Sequence, residues 1–181
     1  CSTMTVTNVS QKKPDLILEQ YFLGKTFASG IFEDRFGNVR RQFTVDIDGT
    51  WDGKTLTLTE DFIFGDGETE TRVWSIEKIA PDSYQGTAED VIGSAKGIVS
   101  GNTLNWKYDM RLKVGGSRVK VHFDDWMFLQ PNGVLINKAT VSKLGLDIGR
   151  VTIAFTKKAD ADFLSTISST NKEPLVATLA R

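Results

Sequence analysis

From Lys25 onward the chain alternates apolar and polar positions with period two, and Gly- and Asn-containing breaks cut the alternation into short lengths. Over Val39–Trp51 one face carries Val39, Arg41, Phe43, Val45, Ile47, Gly49 and Trp51. Over Asn102–Leu112 it carries Leu104, Trp106, Tyr108, Met110 and Leu112, and over Arg118–Leu129 it carries Val119, Val121, Phe123, Asp125, Met127 and Leu129. Successive side chains of a strand point to opposite faces, so the pattern predicts antiparallel sheet with one face turned inward. The breaks fall at 36–38, 52–53, 66–67, 101–102, 115–116 and 131–133, where Gly and Asn supply the positive φ of tight turns. Ten strands follow, near 25–34, 39–51, 54–64, 70–79, 83–89, 93–99, 102–112, 117–129, 133–142 and 147–157.

Connections this short leave no room for the crossovers that parallel neighbours need. A sandwich needs long Greek-key connections, which the chain does not offer. So many strands in one small domain remove their edges most simply by closing on themselves. The expected fold is all-β, an antiparallel up-and-down β-barrel with a short helix at each end. Asp15–Leu23 follows Pro14 and has Leu16, Ile17, Tyr21 and Phe22 at helical spacing, which suits a plug across one barrel end. Asp160–Ser168 offers Phe163, Leu164 and Ile167, a short C-terminal helix expected to pack outside. The organisation is then a polar tether over 1–13, a barrel domain over 14–158, and a short helix with a mobile tail over 159–181.

Charge and cysteine usage narrow the partners. With 22 Lys and Arg against 23 Asp and Glu the formal charge is −1, so no global field draws the chain to nucleic acid. Basic residues are dispersed, and neither a nucleic-acid partner nor a second copy is expected. No apolar run approaches the roughly 18 residues of a membrane-spanning helix. The single cysteine is residue 1, which rules out an intramolecular disulfide and multi-cysteine metal sites. A chain that opens Cys1-Ser2-Thr3-Met4-Thr5 has the form of a mature bacterial lipoprotein, cut just before an acylated cysteine. The alternative is an arbitrary first residue. Residues 2–13 are polar and without hydrophobic periodicity, and read as a solvated linker reaching on the order of 40 Å if extended.

Candidate chemistry lies on the inward face. Arg41 sits among Val39, Phe43 and Val45, Glu60 shares a face with Leu56, Leu58, Phe62 and Phe64, and Asp125 lies between Phe123 and Met127. Buried charges are unstable unless paired, so these three are expected to meet partners or a ligand. Two readings stay open: an internal Arg41–carboxylate network that only closes the barrel, and a ligand-orienting site in an apolar cavity. The candidate ligand-binding set is Arg41, Glu60, Asp90, Tyr108 and Asp125, with lipidation at Cys1. No catalytic residue is assigned. Asp124 and Asp125 point to opposite faces, His122 shares the Asp124 face and reads as a surface residue, and no GxSxG elbow is present. No metal site is expected either: only an all-oxygen one is feasible, and Asp46 and Asp48, though on one face, lack EF-hand spacing. No cofactor is expected.

Several stretches run in order over about residues 19 to 157. They are Tyr21-Phe22-Leu23-Gly24-Lys25, Gly30-Ile31-Phe32-Glu33-Asp34-Arg35-Phe36-Gly37 and Arg41-Gln42-Phe43-Thr44-Val45. Gly86-Thr87-Ala88-Glu89-Asp90-Val91-Ile92-Gly93, Gly101-Asn102-Thr103-Leu104-Asn105-Trp106 and Asp124-Asp125-Trp126-Met127 follow, then Asn137 and Lys143-Leu144-Gly145. Together they resemble a bacterial lipoprotein family known as domain of unknown function 3833. The resemblance implies a processed envelope lipoprotein and brings no activity and no catalytic residues. It also implies an outer-membrane lipoprotein facing the periplasm, since Ser2 stands where an Asp commonly signals inner-membrane retention. A looser similarity, of architecture, is to lipocalin-like (calycin-like) barrels, which carry hydrophobic ligands; Gly24-Lys25-Thr26-Phe27 departs from their Gly-x-Trp. The expected function is a membrane-anchored module binding a lipid or other small hydrophobic ligand in a barrel cavity. The alternatives are an enzyme acting on lipid acyl chains or small envelope metabolites, and a structural scaffold with a filled barrel.

Overall fold

Each alternating segment becomes a strand because its apolar half then lies on one side of the sheet, and that half is what the protein encloses. The computed structural model describes residues 3–114 and 116–157. Among the described residues the strands are β1 (Gly24–Asp34), β2 (Val39–Trp51), β3 (Thr55–Phe64), β4 (Thr69–Ala80), β5 (Ser83–Thr87), β6 (Val91–Ser100), β7 (Thr103–Val114), β8 (Ser117–Leu129), β9 (Leu135–Lys143) and β10 (Leu146–Thr156). All ten expected strands form, with ends within two residues of expectation. Each pairs antiparallel with its neighbour in sequence, and β1 closes on β10, so the sheet is a barrel with an up-and-down meander. The closing seam runs from Phe27 opposite Thr156 to Asp34 opposite Gly149. One stretch of wall is thinner. Pairing of β4 with β5 stops at Ser75 opposite Thr87, so Thr69–Trp74 lacks a β5 partner.

Inside, Val45, Ile47, Leu56, Leu58, Trp74, Ile76, Leu104, Trp106, Val121, Phe123, Leu135 and Val141 are buried. Full burial of side chains of this kind stabilises by about 1.5–3 kcal/mol each. The N-terminal segment closes the end of the barrel bounded by the β2–β3, β4–β5, β6–β7 and β8–β9 turns. Leu16, Leu18 and Phe22 are buried there. The Tyr21 hydroxyl reaches the carbonyls of Gly133 and Phe155 at 2.8 and 3.2 Å. Glu19 accepts from Lys78 and, at 2.6 Å, from the Tyr84 hydroxyl. The plug is therefore present, but its helix is shorter than Asp15–Leu23: α2 spans Leu18–Tyr21. The Leu16 amide donates to the Gly101 carbonyl at 2.8 Å, which holds the chain extended until Ile17.

The free linker expected over 1–13 is also corrected in its second half. A short helix α1 (Val6–Val9) forms, and Gln11 is fastened to Asn102 by its amide to Oδ1 at 2.7 Å and its carbonyl from the Asn102 amide at 2.9 Å. These residues are docked on the barrel because Asn102 offers a side-chain acceptor beside a free backbone donor. The expected C-terminal helix at Asp160–Ser168 and the tail lie outside the described residues.

The plug fits because β2 has no side chain at residue 49. A Cβ there would lie 1.7 Å from the Phe22 carbonyl oxygen. Gly49→Ala is expected to displace the plug and cost about 2–3 kcal/mol, read as a lower urea midpoint at an unchanged slope.

Candidate ligand-binding cavity

Between the plug and the opposite, open rim the barrel encloses a cavity of about 250 Å³. Space in the interior removes the premise of a filled scaffold. Most of the wall is apolar, with Phe43, Val45, Leu58, Phe62, Trp106 and Phe123 among the lining residues. Trp74 meets Trp106 and Tyr108 edge-on at 5.6 and 5.3 Å, and Tyr108 stacks on Phe123 at 5.0 Å. The Trp106 ring has room because β6 lacks a side chain at Gly97, where a Cβ would lie 2.5 Å from it.

Polar groups interrupt this wall at two places. On β4, Arg72 shares the inward face with Trp74 and Ile76, and register sets it opposite Glu60. Its Nε donates to both oxygens of Asp90 at 3.0 and 3.2 Å, and Nη2 donates to Oδ2 at 2.9 Å. Glu60 and Glu70 each lie 3.8 Å from the guanidinium, and the Phe62 ring is 5.2 Å from it. Burial works against the Arg72 charge, but Glu60 and Asp90 prevail and raise its pKa. Burial pushes the Glu60 carboxyl up to about 7 against the pull of Arg72.

The second place is on β8 and β9. Asn137 donates to Asp125 Oδ2 at 3.3 Å, while Asp125 Oδ1 and Asn137 Oδ1 are buried without a hydrogen-bond partner. Burial raises Asp125 to about 7 even though the Asn137 hydrogen bond lowers it. Burial, and then the nearby Asp125 charge, raise the Tyr108 hydroxyl well above its ordinary range.

The structure thus brings Glu60, Asp90, Tyr108 and Asp125 to one cavity. Arg41 lines it too, but at the rim, with its side chain 39% exposed and paired to Glu68 at 3.1 Å and Asp66 at 3.6 Å. It stacks over Phe64 at 3.6 Å. The expectation of a buried Arg41–carboxylate network is corrected: the internal network exists, and its cation is Arg72. Arg41 stands just inside the β1–β2 turn, beyond the last paired residue of β3, so its charge reaches water. Two residues of the site, Arg72 and Asn137, escape the sequence reading. Their signal is parity: Arg72 alternates with Trp74 and Ile76, and Asn137 with Leu135, Ala139 and Val141. Asp124 faces outward to Asn105 at 2.7 Å, and His122 is a surface residue 2.7 Å from Asp109. Cys1 lies outside the described residues.

A family model described as "Protein of unknown function (DUF3833)" matches residues 1–157. The chain belongs to the DUF3833 family. Among curated proteins nothing matches it. Among solved structures the DUF3833 barrel is similar to the S-type phycobiliprotein lyase CPES from Guillardia theta, with a TM-score of 0.57 at 6% identity over 78% of this chain and 90% of that one. At that identity the likeness is one of fold, a lipocalin-like barrel.

Glu60 and Asp125 hold their protons more tightly in the folded DUF3833 barrel than at their ordinary values of 4.5 and 3.8. The folded chain then binds more protons than the unfolded one between about pH 4 and 7, so these groups take stability away as pH rises through that window. Glu19, Asp34 and Asp52 are shifted downward and take stability away as pH falls below about 4. The melting temperature is expected to peak near about pH 5 and to fall by several degrees toward pH 8. Asp125→Asn should flatten that alkaline decline, which thermal melts across the range will read.

Proposed function

We propose that the protein is a binding module that holds one small, largely apolar molecule inside the barrel. The observation that carries this reading is the aromatic cavity of about 250 Å³, open at one end, with a few buried polar groups in its wall. That composition suits a small-molecule site, and the volume is just under the roughly 300–1,000 Å³ usual for one. A single short acyl chain or a compact ring system fits; a two-chain lipid does not. The same proposal places the barrel at an envelope membrane, on an acylated Cys1 at the outer membrane facing the periplasm. Its support is a lone cysteine followed by a polar segment, since several acyl chains on one residue hold firmly where one holds marginally.

Acid–base chemistry on the bound molecule is a second reading. It is favoured by two cavity carboxyls, Glu60 and Asp125, held near 7 and so able to give or take a proton at neutral pH.

One experiment addresses all three elements: fractionation of the host followed by native mass spectrometry of the recovered protein. Wild type is expected in the membrane fraction with one bound small molecule. Cys1→Ala should be released from the membrane fraction by a high-salt wash that leaves wild type in place, with that mass retained. Ala139→Phe, which fills the cavity, should lose the mass without moving the protein. Empty protein in every preparation sinks the binding reading, and wild type free in the soluble fraction sinks the anchor. A bound molecule whose mass changes on incubation with wild type but not Glu60→Gln favours catalysis.

A further inference from the structure

The two unpartnered oxygens in the cavity wall specify a ligand chemistry. Asp125 and Asn137 are 5% and 2% exposed, both line the cavity, and each presents one Oδ1 without a partner. The Asn137 amide group already donates to Asp125 Oδ2, which leaves its oxygen as the free end. A buried acceptor left unpaired costs about 1–3 kcal/mol, so this pair is arranged for a donor. Beside this pair the cavity's one deep guanidinium is already engaged: Arg72 makes its short hydrogen bonds to Asp90, with Glu60 and Glu70 beside it, while the lining cations Arg41, Arg111 and Lys113 stand toward the rim. Phe62, Trp74, Tyr108 and Phe123 line the same space, and aromatic faces attract cations.

Resting on the binding reading above, we propose that the bound molecule carries a hydrogen-bond donor, best a protonated amine, on a compact apolar body. Asp125 and Asn137 receive the donor, and Glu60 adds a second negative charge. The charged groups that act on Asp125 are Asp124 on its own strand, Arg72 of β4 and Glu60 of β3; Tyr108 of β7 lies beside it and in turn faces Asp90 of the β5–β6 turn. A cation binds ionised Asp125 and Glu60 better than their acids, so binding releases protons and tightens as pH rises through about 7.

1-Octylamine, 1-octanol and octanoate share one body and differ in head group. They are titrated into the full chain, followed by tryptophan fluorescence and by calorimetry in two buffers of different ionisation enthalpy. At pH 8 octylamine is expected to bind about tenfold tighter than octanol, the difference between a charge-assisted and a neutral hydrogen bond. Octanoate should be weakest, and the octylamine advantage should shrink at pH 5.5. Asp125→Asn should cut octylamine affinity about tenfold while octanol changes little. Octanol bound as tightly as octylamine, or octanoate tightest, overturns the donor proposal and leaves the binding reading standing. No binding of any of the three overturns both. The wild-type ranking decides even where Asp125→Asn fails to fold.

The open rim carries a separate observation. Register sets Arg111 opposite Lys120 and Lys113 opposite Arg118 on the β7–β8 arm, and like charges opposed in a ladder destabilise it. Lys120 has Asp109 at 3.9 Å; among the described residues Arg111, Lys113 and Arg118 have no ion pair. The β1–β2, β9–β10 and β7–β8 turns are consecutive around the rim. They expose Phe36 at 75%, Leu144 at 94%, Leu146 at 68% and Val114 at 56%. Leu144 does so at φ 51°, a left-handed conformation that L side chains adopt at a cost. We infer that this side of the rim rests on an anionic lipid bilayer, with the apolar tips in the interface and the four cations against headgroup phosphates.

Cosedimentation of the full chain carrying Cys1→Ser, so that no acyl chain contributes, reads this. Vesicles of phosphatidylglycerol and phosphatidylethanolamine should bind it, and phosphatidylcholine vesicles should not. Lys113→Gln and Arg118→Gln should each weaken binding about fivefold at unchanged melting temperature, and Leu144→Ser should weaken it further. Equal binding to both vesicle types, binding to neither, or unchanged binding by the Gln variants overturns the inference. Tight binding to heparin or single-stranded DNA without vesicle binding overturns it as well.

Discussion

A sheet without edges can be entered only at its ends, and closure of β1 on β10 is the constraint from which the rest of the structure follows. With every strand paired on both sides along most of its length, the inward residues are cut off from water except at two openings. The N-terminal segment fills one of them with Leu16, Leu18 and Phe22. The other stays open, so the interior acquires a direction: apolar and sealed at the plug, charged at the rim. Arg41 and Arg72 show the gradient within one barrel. Near the rim, Arg41 pairs with Glu68 and Asp66 in reach of water. Deeper in, Arg72 takes both oxygens of Asp90, because a cation there has no solvent to fall back on.

The carboxyls obey the same gradient with the opposite outcome. Glu60 and Asp125 are too deep to be comfortable as anions, and the one nearby cation already has a full set of partners. Burial therefore raises both to about 7, where acid and anion are close in free energy. A wall of this kind combines apolar grip with a small number of convertible acceptors, which is how a cavity can be selective without being large.

How much of this is legible in the sequence depends on what period two encodes. Alternation states which side of the sheet a residue faces, and ten strands with their inward sets can be read from it. It also places Glu60 and Asp125 inside and sends Asp124 and His122 outside. It does not state depth along the barrel, so Arg41 reads as buried although it stands at the rim. Arg72 and Asn137 were visible in parity but lie in strands whose polar neighbours mute the pattern. The plug was legible as an apolar cluster; its short helix was not, since the Leu16 amide answers to a carbonyl of a distant turn. Docking of Gln11 on Asn102 leaves no periodic trace at all.

The early end of β5 has a consequence for motion. From Thr69 to Trp74, β4 has no β5 ladder beside it, and in that stretch the bond across the wall is between side chains, Arg72 to Asp90. A backbone ladder opens cooperatively, many hydrogen bonds at once; a side-chain clasp opens alone. The barrel therefore breathes first along this seam, next to the cavity and near its mouth. Opening of the wall at this place is then governed by one ion pair rather than by the stability of the whole fold.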